Sequence, residues 1–166
     1  MLAQKSILYN HPFLYILRAG LWNYELFLSN FTSVDYVSIK RYAETQSVVG
    51  LITAGFEKIQ DIKIPEAETF QFIGSTLQIE QLNKGMNCFI EQLFRLLQEN
   101  GIIAVLIKGQ GIAQCYEKPL WRACGDVDLL LDAENYERAK DVLMPLASSI
   151  GMEDVKRLHL ELKISE

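Results

Sequence analysis

The feature that most constrains this chain is a change of hydrophobic period at Gly101. Before it, apolar residues recur at steps of three and four, the spacing of helices that bury one face. After it they come as short runs and as alternation, the spacing of strands. Phe13, Leu17, Gly20, Leu21, Tyr24, Phe27 and Leu28 follow Pro12, a residue suited to a first helical turn. Tyr36, Ile39 and Ala43, then Val48, Ile52, Phe56 and Ile59, predict one bent helix or two short ones. Gly50 and Gly55 make that segment depend on packing for its stability. Asp61 to Pro65 reads as a connection. The strongest stripe, Ile79, Leu82, Met86, Phe89, Ile90, Leu93, Leu96 and Leu97, runs to an Asn100-Gly101 stop and leaves Glu91, Arg95 and Glu99 facing outward.

Beyond Gly101, the β-branched run Ile102 to Ile107 predicts a strand buried on both faces. The turn Lys108-Gly109-Gln110-Gly111 leads to a short helix through Ala113 and Tyr116, and Val127 to Leu131 predicts a second strand. Asp132 caps a helix carrying Tyr136, Ala139, Val142, Leu143 and Leu146, with Gly151 beyond its end. Leu158, Leu160, Leu162 and Ile164 alternate with His159, Glu161 and Lys163, predicting a third strand with one polar face. The order predicts an α+β fold: a helical region over 1–100 packed on a small mixed β-sheet over 101–166, in one continuous structural unit.

Composition narrows the function. A chain of 166 residues that is 49% apolar can bury the core of one domain. With 21 acidic against 16 basic residues, its net charge of −5 argues against sequence-independent binding to nucleic acid or anionic membrane. No uncharged apolar stretch approaches the ~18–20 residues needed to cross a bilayer. Asn10, His11 and Pro12 interrupt the run Ile7 to Leu17 and no small-residue cleavage site follows, so the N-terminus reads as mature protein. Cys88, Cys115 and Cys124 form no C-x-x-C pair, and two histidines, His11 and His159, are too few for a His-rich metal centre. Reduced thiols and a cytoplasmic location are the expectation.

Asp126-Val127-Asp128 carries the chemical argument. Residues two apart on a strand face the same way, roughly 6.6 Å apart, so both carboxylates leave one face while Val127, Leu129 and Leu131 anchor the other. Carboxylates about 6 Å apart repel by ~2–3 kcal/mol at an effective dielectric of about 20. A divalent cation offsets that repulsion; Mg²⁺ takes one or two carboxylates plus phosphate oxygens. Two such ions ~3.5–4 Å apart form the clamp of phosphoryl and nucleotidyl transfer. D-x-D alone is more often an exposed surface pair. Glu161 adds a third acid if its strand neighbours the first; otherwise it is a solvent-facing residue beside Lys163. The Lys108–Gly111 turn lets backbone N–H groups and a helix N-terminus meet a phosphate, although a glycine turn after a strand is usually only a turn. The P-loop and the dinucleotide fingerprint do not fit its spacing.

Taken together, Leu106-Ile107-Lys108-Gly109, then Tyr116, Pro119 and Arg122, then Gly125-Asp126-Val127-Asp128-Leu129-Leu130 resemble a bacterial family of nucleotidyltransferases. Its signature is an L-K-G turn, a Y-x-x-P-x-x-R segment and D-[IV]-D-L-L. The family is similar to a branch of the DNA polymerase β-like nucleotidyltransferase superfamily, with its Gly turn, D-x-D strand and third strand-borne acid. The resemblance implies a core of that type and an NTP and a hydroxyl acceptor as partners. It implies that Asp126 and Asp128 hold two Mg²⁺ ions, with Mn²⁺ as an alternative. Glu161 would contact the catalytic ion and accept the hydroxyl proton. Lys108, Gly109, Gln110 and Gly111 would support the triphosphate, and Arg122 would meet phosphate or orient the aspartates. Lys108 could instead simply answer the carboxylates, and Arg122 could be a structural ion pair. Tyr116 and Pro119 read as loop packing and His159 as a surface residue.

Two departures matter. The superfamily turn often has Gly or Ser where this chain has Gln110, and the sequence stops soon after the third strand, where family members usually continue. The expectation is therefore a Mg²⁺-dependent nucleotidyltransferase whose core is C-terminally incomplete. The alternative is a truncated, non-catalytic binding or regulatory module that keeps the fold and self-associates through its helical region. Glycosyl transfer through D-x-D is a weaker third reading, because it normally uses a larger nucleotide-sugar domain.

Overall fold

The computed structural model describes residues 11–154 and 157–162. The chain is α+β and divides into two compact units, Met1–Lys84 with Ile112–Gly125, and Gly85–Gly111 with Asp126–Glu166. The predicted boundary lay at Gly101; the division instead falls within a long helix and returns the segment 112–125 to the first unit.

In the first unit, α1 (Pro12–Trp22) opens on its proline and ends where Asn23 turns left-handed at φ 54°. That cap stops the helix short of the predicted Phe27 and Leu28, because Asn tolerates a conformation that closes a helix. Leu26 instead forms a parallel bridge with Ile59, and Leu28–Asn30 make a 3₁₀ turn. The carboxylate of Asp61 accepts the N–H groups of Leu28 (3.0 Å) and Ser29 (2.7 Å) at that turn. The next stripe resolves into two helices, α2 (Tyr36–Thr45) and α3 (Val49–Phe56), separated where Ser47 takes φ 55°.

Gly55, which weakens α3 as an isolated helix, and Gly20 of α1 are what let the two helices touch. A Cβ on Gly55 would lie 2.2 Å from the carbonyl oxygen of Ile16, and one on Gly20 would lie 1.9 Å from that of Leu51. Neither distance is tolerable, so the two backbones are in direct contact there. Around the crossing, Ile16, Leu26, Leu28, Ile39, Ile52 and Phe72 form the buried core.

The long helix α4 (Glu66–Glu99) follows Pro65 and so begins well before the predicted Ile79. Phe72, Thr76, Asn83, Leu93 and Leu97 are its buried positions. Leu82, assigned to the stripe from sequence, is exposed, and Asn83 takes the inward place.

In the second unit, β1 (Val105–Ile107) and β2 (Asp128–Leu130) pair antiparallel, with Val105 opposite Leu130, Leu106 opposite Leu129 and Ile107 opposite Asp128. Val127, Leu129 and Leu131 pack on a core of Leu93, Leu97, Ile102, Ala139 and Leu143. The expectation of burial on both faces of β1 is corrected: Val105 is 55% exposed and Leu130 58%. The five-residue α5 (Gly109–Ala113) follows the turn, and α6 (Ala133–Leu143) is capped by Asp132, whose carboxylate accepts the N–H of Asn135. Buried Asn135 in turn accepts the N–H of Ile103 at 2.9 Å, tying α6 to the approach to β1.

A strand not read from the sequence, β3 (Ala147–Asp154), contains Gly151 and pairs antiparallel with β4 (Arg157–Leu162). Among the described residues the sheets are therefore two antiparallel pairs rather than one mixed sheet. Leu160 and Leu162 pack on the core, as their alternation predicts. The side chains of Leu158 and His159, and residues Lys163 and Ile164, lie outside what is described. No helix among the described residues is long and apolar enough to cross a membrane.

Candidate functional site

The β1–β2 register brings the turn and the acidic pair to one end of a sheet. Because Ile107 faces Asp128 across the ladder, Lys108 leaves β1 where Asp128 opens β2. Alternation sends Val127, Leu129 and Leu131 into the core, so Asp126 and Asp128 belong to the other face. Asp126 is exposed and Asp128 half-buried. The ammonium Nζ of Lys108 stands 3.4 Å from Oδ2 of Asp128, with side chains 67% and 33% exposed.

The backbone of this turn is unusual. Lys108 adopts φ 53°, in the left-handed region that a non-glycine residue seldom enters, and Gly109 follows at φ 33°. The chain bends at Lys108, and Gly109 and Gln110 take buried positions, with Gly111 half-buried. The helix that follows is little more than one turn long, too short to offer a substantial macrodipole to a phosphate. Lys108, rather than a helix end, is the cation this turn supplies.

Glu161 has a different setting. It lies on β4 opposite Ser149, it is exposed, and its carbonyl accepts the hydroxyl of Ser148 at 3.0 Å. The ladder of β4 is with β3 and not with β2. Among the described residues, no group of three His, Cys, Asp or Glu is gathered closely enough to hold a metal ion. Lys108 thus meets Asp128, while Glu161 lies on a strand whose described partner is β3.

Arg122 belongs to the helical unit, four positions ahead of Asp126 in the chain. Its segment is held by polar side chains of the long helix and of α3's end. Buried Asn83 donates both amide hydrogens, to the carbonyls of Leu120 (2.8 Å) and Arg122 (2.7 Å). The Trp121 indole donates to Glu80 at 3.0 Å, and the ammonium of Lys118 lies over the indole ring while pairing with Glu57. A hydrogen bond from Lys84, with that from Trp121, holds the Glu80 carboxyl below its ordinary range. Pro119 starts the 3₁₀ turn Pro119–Trp121, and Tyr116 is half-buried, in keeping with packing roles. The available signal was Asn83 itself, a polar residue standing at a stripe position of the helix.

The donors present suit a hard divalent cation. Asp128 opens β2 and Asp126 precedes it by two residues; two carboxylates of this type would suit one Mg²⁺, leaving its other positions to water and phosphate oxygens. A second ion would call for a further acid.

A family model described as an uncharacterised nucleotidyltransferase matches residues 32–161, a span that includes the glycine turn, the D-x-D strand and Glu161. No curated protein and no solved structure matches the chain.

Proposed function

We propose, since the chain belongs to this uncharacterised nucleotidyltransferase family, that it moves a nucleoside monophosphate from an NTP to a hydroxyl acceptor. The acceptor oxygen forms a bond to the α-phosphorus as the bond from that phosphorus to the α,β-bridging oxygen breaks. Pyrophosphate leaves with the bonding pair, and the hydroxyl proton passes to a carboxylate. Asp126 and Asp128 hold the divalent cation, Mg²⁺ or Mn²⁺, through their oxygens. When bound, such a cation would supply positive charge against the phosphate oxygens. Lys108 meets the triphosphate from the turn, a fixed positive charge beside the carboxylates. Glu161 stands as proton acceptor only by the resemblance, and Arg122 as a phosphate contact on the same ground.

The observation that supports this reading most is the Lys108–Asp128 contact, which sets a phosphate-binding type of side chain beside a metal-binding type. Calorimetry of Mg-NTP binding to the full chain tests it. Asp126→Asn and Asp128→Asn are expected to abolish binding and pyrophosphate release; unchanged affinity in both variants refutes the assignment. The place of Glu161 favours a second reading, a module that binds Mg-NTP without transfer. Binding with no pyrophosphate release, unaltered by Glu161→Gln, would select it.

A further inference from the structure

Lys108 and Asp128 pose a question that the proposed transfer leaves open, namely what becomes of their ion pair when a cation arrives. We infer that Lys108 is the resident counter-ion of Asp128, one that an incoming divalent cation would displace and the triphosphate would receive. The inference rests on the reading of Asp126 and Asp128 as metal holders, and it adds that one residue opposes the metal and assists the nucleotide.

Three features carry it. The ammonium is within ion-pair distance of Oδ2, an oxygen that the cation would take. A Mg²⁺ ion held by Asp128 would sit about 2.0–2.1 Å from its ligand oxygen, so an ammonium 3.4 Å from that carboxylate would face like charge at short range. The contact is also built by the backbone. Lys108 holds φ 53° directly ahead of Gly109, and the ladder fixes Ile107 opposite Asp128, so the side chain starts at the carboxylate's end of the sheet. Finally, the lysine side chain is 67% exposed, on a flexible stem with room to leave, whereas Asp128 is 33% exposed and held in the strand. The mobile partner is the cation.

The consequence is a pair of effects with opposite signs. Removing the charge should tighten metal binding in the absence of nucleotide and weaken nucleotide binding in the absence of metal. A lysine that served only phosphate would change the second alone, and a purely structural ion pair would change neither in that pattern.

The test uses the full chain and Mn²⁺ as the probe, followed by the loss of the free-ion electron paramagnetic resonance signal. Lys108→Met keeps an unbranched side chain, so its backbone requirement at position 108 is unchanged. It should bind Mn²⁺ about two- to fivefold more tightly than the unaltered chain, the range of an exposed ion pair. ATP with excess chelator should bind about tenfold more weakly, the scale of a hydrogen bond to a charged group. Lys108→Arg should restore both values, and Lys108→Gln repeats the test if the methionine variant fails to fold. Mn²⁺ affinity that is unchanged or weaker in both uncharged variants overturns the inference and leaves the metal-holding reading intact. Mn²⁺ binding that is absent from the unaltered chain, or indifferent to Asp128→Asn, removes the metal-holding reading itself and the inference with it.

Discussion

In the helical unit, Asn83 is 1% exposed and donates both amide hydrogens to the chain segment ahead of the acidic strand. In the strand-bearing unit, Lys108 and Asp128 meet at the open end of a two-stranded sheet whose outer face shows Val105 and Leu130 to solvent. One region therefore buries its polar groups and fixes backbone with them. The other keeps its charges at the surface, where solvent screens them and a ligand can reach them. The two regions thus use polar groups differently: direct backbone packing and a buried amide on one side, an exposed ion pair on the other.

That contrast can be broken by substitution. The largest effect is expected for Gly20→Leu, because even its Cβ would lie 1.9 Å from the carbonyl oxygen of Leu51. Separating α1 from α3 should cost more than about 3 kcal/mol, read by urea unfolding with circular dichroism. Next is Asn83→Leu, which orphans the carbonyls of Leu120 and Arg122 and should cost about 3 kcal/mol in the same measurement, given ~1–3 kcal/mol per buried unsatisfied group.

A smaller effect is expected at Asp61, and it depends on pH. Hydrogen bonds from Ser29, then Leu28, hold its carboxyl below 3.8, against desolvation acting the other way. Between the folded and unfolded values the unfolded chain binds more protons, so stability falls with acidification. The contribution is present above 3.8 and is lost as pH drops through the lower folded value. Asp61→Ala should therefore lower the thermal midpoint at neutral pH, and the gap from the unaltered protein should narrow in strong acid. Asp35 and Asp132, also lowered by hydrogen bonds at helix starts, should add to the same acid limb. Smallest of all, Val105→Thr and Leu130→Thr should each stay within about 0.5 kcal/mol, as befits exposed positions. A much larger loss at those two would show that the outer face is covered in solution, sharpening the contrast in an unexpected direction.

How much was legible in the sequence follows the strength of local signals. The Asp132 cap, the Asn100-Gly101 stop and the inward Val127, Leu129 and Leu131 were readable, because each is a rule about neighbours a few residues apart. Leu82 and Asn83 were not. Hydropathy alone puts leucine inside, whereas helical spacing and two distant carbonyls put asparagine there. The strand β3 escaped notice because Ser148, Ser149 and Gly151 have weak strand preference; its pairing with β4 supplies what they lack. Near the site, the inward Val127 and Leu129 on either side of Asp128 could be read from alternation. Which strand lies beside Glu161 could not, since sheet order is a long-range property that no local period encodes.

Lys108 carries one further consequence. A glycine at that position would suit φ 53° better, relieving about 1 kcal/mol of left-handed strain while deleting the ammonium. Heat resistance and ligand recognition would then pull this one codon in opposite directions. A laboratory lineage selected only for thermal endurance would be drawn to discard the lysine early, and on the proposed reading its survivors would be sturdier proteins with a poorer grip on polyphosphate.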